Sequence, residues 1–154
     1  MSPIKKMILT LIVMAAFSVV NAQIEERESA DWKVIGRLKF GGLTKAKMEY
    51  TVAGNDTTYL LFIKDVRDQP KDNYFGITFK SVDGTYEKLY VLLKSFFLPE
   101  NKKDRKYSRT FNLGKTGVHV QHYQLITGRG IMFSTTEGHT YWSSKDIDKL
   151  FRKD

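Results

Sequence analysis

The chain has 154 residues, with 25 Lys or Arg against 17 Asp or Glu, a formal net charge of +8 and no cysteine. That length allows one domain with a sizeable core, folding burying about two thirds of the surface an unfolded chain exposes. The absence of cysteine excludes a disulfide framework, a cysteine nucleophile and lipid attachment at an N-terminal cysteine, so packing alone must hold the fold.

Lys5 and Lys6 precede an apolar run over residues 7–20, and Val20, Asn21 and Ala22 form a small-residue cleavage pattern before Gln23. The run is shorter than the roughly 20 residues a spanning helix needs. Residues 1–22 therefore read as a cleaved signal peptide of bacterial type, leaving a soluble periplasmic or secreted protein with no transmembrane span. Cleavage would remove two basic residues and no acidic ones, for a net charge of +6. An exported basic chain seldom meets nucleic acid, so the expected partner is an acidic protein or an envelope polyanion.

Residues 23–31, QIEERESAD, are acidic and nearly free of apolar side chains, which predicts a flexible mature N-terminus. Residues 32–154 read as a single globular domain. Trp32, Val34, Leu38 and Phe40 alternate with Lys33, Ile35, Arg37 and Lys39. After Gly41-Gly42 a second alternation sets Ala46, Met48, Tyr50 and Val52 against Lys45, Lys47, Glu49 and Thr51. Period two broken by glycines predicts a hairpin of half-buried strands. Apolar runs over 59–66 and 74–80 predict two more strands, separated by a polar loop that contains Pro70. Over 86–98 the Asp83-Gly84 pair suggests a hairpin turn, but Tyr86, Leu89, Leu92, Leu93, Phe96 and Phe97 follow helical spacing and Pro99 supplies a stop.

Beyond the charged connector PENKKDRK, strands are expected over 107–113, 117–126 and 130–135. A final helix follows, with Ser143 as N-cap, Asp146 three residues on, and Ile147, Leu150 and Phe151 as its apolar stripe. GITFKSVDG at 76–84 has an echo in GIMFSTTEG at 130–138, and the same offset of 54 residues sets Leu93, Phe96 and Phe97 against Ile147, Leu150 and Phe151. An internal duplication would account for this, as would the shared grammar of strand–turn–helix units. The expected fold is α+β: a mostly antiparallel sheet of about seven strands with two helices, in the order β-(βββα)-(βββα).

Motifs for catalysis are scarce. His119 and His122 lie three apart on an expected strand and so face opposite ways; with His139 they read as ordinary surface histidines rather than metal ligands. No serine sits in a nucleophile elbow, and Gly128-Arg129-Gly130 reads as a turn rather than a phosphate loop. Asp65, Asp68 and Asp72 lack calcium-loop spacing and are interleaved with Lys64, Arg67 and Lys71. No cofactor is implied. Trp32, Phe40, Phe75, Phe79, Phe96, Phe97, Phe111, Phe133 and Phe151 are assigned inward positions.

The first hairpin breaks a local rule. A loop over 41–43 would place Lys39 opposite Lys45 and Arg37 opposite Lys47, with Lys33 further along the same face, and opposed like charges destabilise a sheet. Lys33, Arg37, Lys39, Lys45 and Lys47 are therefore the candidate partner-binding residues, the alternative being long stems that splay into water and blunt an edge strand. The reading that fits best is a non-enzymatic interaction protein that binds an anionic partner through this face. A small-ligand or lipid carrier with a cleft between helix and sheet, and an enzyme whose site follows no recognisable motif, are the alternatives.

Overall fold

The computed structural model describes residues 31–67 and 73–153. The expected signal peptide, the acidic segment apart from Asp31, and Asp68, Pro70, Lys71 and Asp72 of the acid-bearing loop lie outside these residues. The fold is α+β, and the described residues form eight strands and three helices. In chain order they are β1 (Lys33–Phe40), β2 (Leu43–Ala53), β3 (Asp56–Lys64), β4 (Tyr74–Lys80), α1 (Thr85–Ser95), α2 (Pro99–Lys102), β5 (Ser108–Leu113), β6 (Thr116–Leu125), β7 (Gly128–Ser134), β8 (His139–Trp142) and α3 (Ser144–Leu150). The strands form two four-stranded antiparallel meanders, β1-β2-β3-β4 and β5-β6-β7-β8. None of the described helices is long and apolar enough to cross a membrane.

Three expectations need correction. Among the described residues there are eight strands in two sheets rather than about seven in one, the additional strand being β8, where none is expected from the sequence. Four residues, His139–Trp142, are too few to display an alternation, and the Ser143 cap signal adjoins them directly. A third helix, α2, occupies a connector expected to be irregular. Pro99, expected to be a stop, does follow α1, but it also sits in the first turn of α2, where its missing N–H costs nothing. The strand at 32–40 is no extra leader, since each half of the chain runs ββββα.

This twofold order does not follow the sequence echo. Gly76 lies in β4, the last strand of its sheet, whereas Gly130 lies in β7, the third strand of the other. Strands in matching positions start further apart, β2 and β6 at Leu43 and Thr116, while α1 and α3 start at Thr85 and Ser144. No single offset relates the halves. The helical part of the echo is real as packing: Leu93, Phe96, Ile147, Leu150 and Phe151 are all buried.

One core joins both sheets. Leu38, Ala46 and Ile63 are neighbours across β1, β2 and β3, and Met48, Leu61 and Ile77 do the same across β2, β3 and β4. Val120 pairs with Phe133, and Ile131 with Trp142, in the second sheet. α1 contributes Leu89 and Leu93, and α3 contributes Ile147 and Leu150, so burial on one stripe of each helix closes what the sheets leave open. The two helices meet in a polar seam: the Tyr86 hydroxyl donates to the Phe151 carbonyl at 2.9 Å, the Tyr90 hydroxyl to Asp148 at 2.9 Å, and Lys94 pairs with Asp148 at 2.8 Å. Burial, with smaller contributions from Glu87 and Tyr59, pushes the Tyr86 hydroxyl up to about 12, so it stays a donor across the accessible pH range.

α3 approaches β1 as closely as backbones allow. A Cβ added at Gly36 would lie 2.3 Å from the carbonyl oxygens of both Lys149 and Leu150. Those atoms belong to the backbone and cannot rotate away, so Gly36→Ala must lift the helix from the strand. We expect it to destabilise the protein by about 1–3 kcal/mol, the usual cost of overpacking, in urea unfolding. A change below about 0.5 kcal/mol would mean that α3 docks more loosely than described.

Asp65, buried at the end of β3, ties the first sheet to the second. Its Oδ1 accepts from the backbone N–H groups of Arg67 at 3.1 Å and His139 at 3.2 Å, and its Oδ2 from Arg67 Nε at 2.7 Å. Val66 N–H donates to the His139 carbonyl at 2.9 Å, and Arg67 Nη2 donates to the Glu137 carbonyl. Burial pushes the Asp65 carboxyl up, but the donors from Arg67 and His139 and the Arg67 charge outweigh it and hold the group below its ordinary 3.8. A depressed value means stability that is fully present above the ordinary value and lost as pH falls through the folded one. Asp65→Asn should therefore destabilise the protein at neutral pH, with the gap from the parent shrinking as pH drops below about 4. Urea titrations of both proteins across that range check this, because Asp148, also held low, titrates in both and cancels.

Candidate functional site: a basic groove between two hairpin tips

The β1–β2 loop is two residues long, Gly41-Gly42, with φ of 56° and 85°. Two left-handed residues give the turn that matches strand twist, and glycine adopts them without strain. Phe40 therefore pairs with Leu43 rather than Thr44, and Lys39 with Thr44 rather than Lys45. A bulge between Leu38 and Lys39 restores Leu38 to Ala46 and leaves Arg37 opposite Lys47.

Of the expected like-charge oppositions, only Arg37 with Lys47 survives, and it is relieved. Lys47 Nζ lies 2.8 Å from Glu49 Oε1, two residues on along the same face, and 5.7 Å from the centre of the Phe62 ring. Glu49 is itself buried. Lys47 is thus committed to the sheet, and Lys33 stands exposed at the far end of β1, opposite Tyr50.

The other three candidates converge. Arg37, Lys39 and Lys45 line a groove of about 510 Å³ whose opposite wall is Leu125, Ile126 and Thr127, at the tip of the β6–β7 hairpin. One face of α3 forms the end of the groove with Ser143, Asp146 and Lys149. Lys149 adds a fourth cation. Asp146 is the one acid in the lining among the described residues, and its Oδ2 is held by Ser143 N–H at 2.8 Å and Ser143 Oγ at 2.9 Å in a capping box. Phe40 and Ile126, one on each hairpin, are 82% and 107% exposed. Phe40 was assigned to the core; the tight loop and the bulge carry it past the last inward position.

The histidines occupy separate settings. His119 Nδ1 is 2.8 Å from Thr110 Oγ1, His122 Nε2 is 3.0 Å from the Asn101 carbonyl, and His139 Nε2 is 3.1 Å from the Tyr141 hydroxyl. Among the described residues, no three His, Asp or Glu side chains gather as metal ligands do. Comparison of the chain with known protein families, with curated proteins and with solved structures found no match.

The Glu49 contact can be tested on the folded protein. Glu49→Gln should destabilise it by about 1–3 kcal/mol, because Lys47 then faces Arg37 without its counter-charge. Arg37→Thr alone should change stability by less than about 0.5 kcal/mol, yet stabilise measurably in the Glu49→Gln background. A strictly additive double-mutant cycle would show that the opposed charges do not interact.

Proposed function

We propose that the protein is an exported, non-enzymatic binding protein whose groove docks an acidic segment of a partner protein. The observation that carries this reading is the convergence of Arg37, Lys39, Lys45 and Lys149 on one concavity flanked by exposed Phe40 and Ile126. Solvated charges alone would explain scattered lysines. They do not explain two large apolar side chains held at the rims of the same basic groove, where water contact costs free energy and folding gains nothing.

The combination suits a polypeptide better than a glycan. Cations steer and orient an acidic chain, while an aromatic and an aliphatic anchor supply the desolvated contacts that dominate protein interfaces. A polyanionic glycan would use the cations and leave the apolar rims idle. Lys33 and Lys47 play no direct part in the groove in this reading; Lys33 adds long-range attraction and Lys47 holds the hairpin face.

The test is a binding titration by fluorescence anisotropy, with a labelled Asp- and Glu-rich peptide carrying one Leu as probe and heparin as the polyanion lacking apolar groups. Arg37→Glu with Lys45→Glu should weaken peptide binding about tenfold or more and flatten its salt dependence, since fewer charges act over a Debye length of about 8 Å. Phe40→Ser with Ile126→Ser should weaken the peptide and leave heparin unchanged. Heparin binding tighter than the peptide, indifferent to the apolar pair, would replace the protein partner with an envelope polyanion. Peptide binding unaffected by either pair would remove the groove as the site.

A further inference from the structure

The β6–β7 hairpin carries a second opening, distinct from the groove at its tip. Along the inner face of β6 the residues run Val118, Val120, His122, Gln124, and across from them on β7 run Phe133, Ile131, Arg129. Val118, Val120, Ile131 and Phe133 are core residues. Beyond them the same face turns polar, His122 beside Ile131 and Gln124 beside Arg129. A cleft of about 410 Å³ lies there, lined by His122, Tyr123, Gln124, Arg129 and, from the connector before β5, Arg105. Two guanidinium groups share it, and among the described residues no carboxylate lines it.

Two buried atoms of this lining have no hydrogen-bond partner, Arg129 Nη1 and His122 Nδ1. Each such orphan loses its hydration on folding and recovers no hydrogen bond in exchange. The two are complementary in kind. His122 Nε2 faces the Asn101 carbonyl, which can only accept, so in the neutral ring Nε2 carries the hydrogen and Nδ1 is an acceptor. Arg129 Nη1 is a donor. A ligand that answers both presents an anionic oxygen to the arginine and an O–H to the imidazole.

We propose that this cleft binds a small hydroxylated carboxylate of the sugar-acid type. The planar guanidinium forks of Arg129 and Arg105 match a carboxylate, and a neighbouring hydroxyl donates to His122 Nδ1. The Gln124 amide suits a further hydroxyl, while the Tyr123 ring, on the other face of β6, stacks on Tyr141 at 4.0 Å and holds the strand that forms the cleft wall. The cleft lies in the size range of small-ligand pockets. A bare phosphate would leave most of it empty, and the lining offers side chains where dedicated phosphate sites gather backbone N–H groups.

The experiment is a titration of the isotope-labelled full mature chain by amide NMR with glucuronate, acetate and inorganic phosphate. Glucuronate should produce saturable shifts at 122–130 and 105, with acetate and phosphate each at least tenfold weaker. Arg129→Gln and the exposed-site variant Arg105→Ala should each weaken glucuronate about tenfold or more, with the remaining resonances unchanged as the check on folding. His122→Phe should lower the preference for glucuronate over acetate. Equal affinity for acetate would overturn the hydroxyl requirement, tighter binding of phosphate would overturn the ligand class, and the lack of saturable shifts with any of the three would overturn the site.

Discussion

The close approach of α3 to β1 is the constraint from which the arrangement of the molecule follows. The carbonyl oxygens of Lys149 and Leu150 occupy the space a side chain would take at Gly36, so the last of the described helices is pressed against the first of the described strands. Among the described residues the two sheets share no ladder of hydrogen bonds; each is a separate four-stranded meander. What makes them one body is the common core, the Asp65 link from β3 to β8, and α3 lying across both. The basic groove inherits its shape from this. Its walls come from β1–β2 and β6–β7, hairpins that never pair, and α3 sets the distance between them.

Much of the secondary structure was legible because period and turn chemistry agreed. Gly41-Gly42 marked the first hairpin, and the spacing of Tyr86, Leu89, Leu92 and Leu93 outweighed the turn signal at Asp83-Gly84. Both residues of that pair do take left-handed conformations, with φ of 50° and 69°, but they open a helix instead of closing a hairpin. The final helix was read through its cap, and the reciprocal Ser143–Asp146 bonds are present although Asp is shorter than the usual Glu. The division into two sheets was not legible. Within each sheet every strand is antiparallel to its sequence neighbour, as it would be in a single meander, and the break falls between β4 and β5, where the helical connector conceals it.

The electrostatic reading of the first hairpin shows how one residue of register alters a site. A loop taken as three residues instead of two opposes Lys39 to Lys45 and brings Phe40 inward. The observed two-residue loop with its bulge breaks that opposition and turns Phe40 out. Glu49 was visible in the sequence as the counter-charge two positions from Lys47, on the same side of a strand, and that spacing was the available signal for Lys47's true partner. Lys149 had no such signal. It joins Arg37 only through the docking of α3, a long-range contact that no local pattern encodes.

The β6–β7 hairpin carries parts of both openings, and its geometry keeps them separate. A Cβ at Gly130 would lie 2.4 Å from Leu125 Cδ1 and 2.7 Å from the Trp142 carbonyl, so Leu125 folds back over its own hairpin and β8 closes against it from the other side. Leu125 is thereby pinned, and Ile126, next in the turn, has nowhere to go but outward. On the inner face the same strands pass from core to cleft within two residues, from Val120 to His122. The polar end of that face is closed only in part by the fold's own hydrogen bonds, through His122 Nε2 and Gln124 Nε2, whereas the cap of α3, the Asp65 link and the helix seam are each closed by partners on the chain. Four buried side-chain atoms among the described residues lack a partner; Thr140 Oγ1 and Trp142 Nε1 belong to residues with no exposure, whereas His122 Nδ1 and Arg129 Nη1 line one cleft, which marks that cleft as the place where a ligand completes the structure.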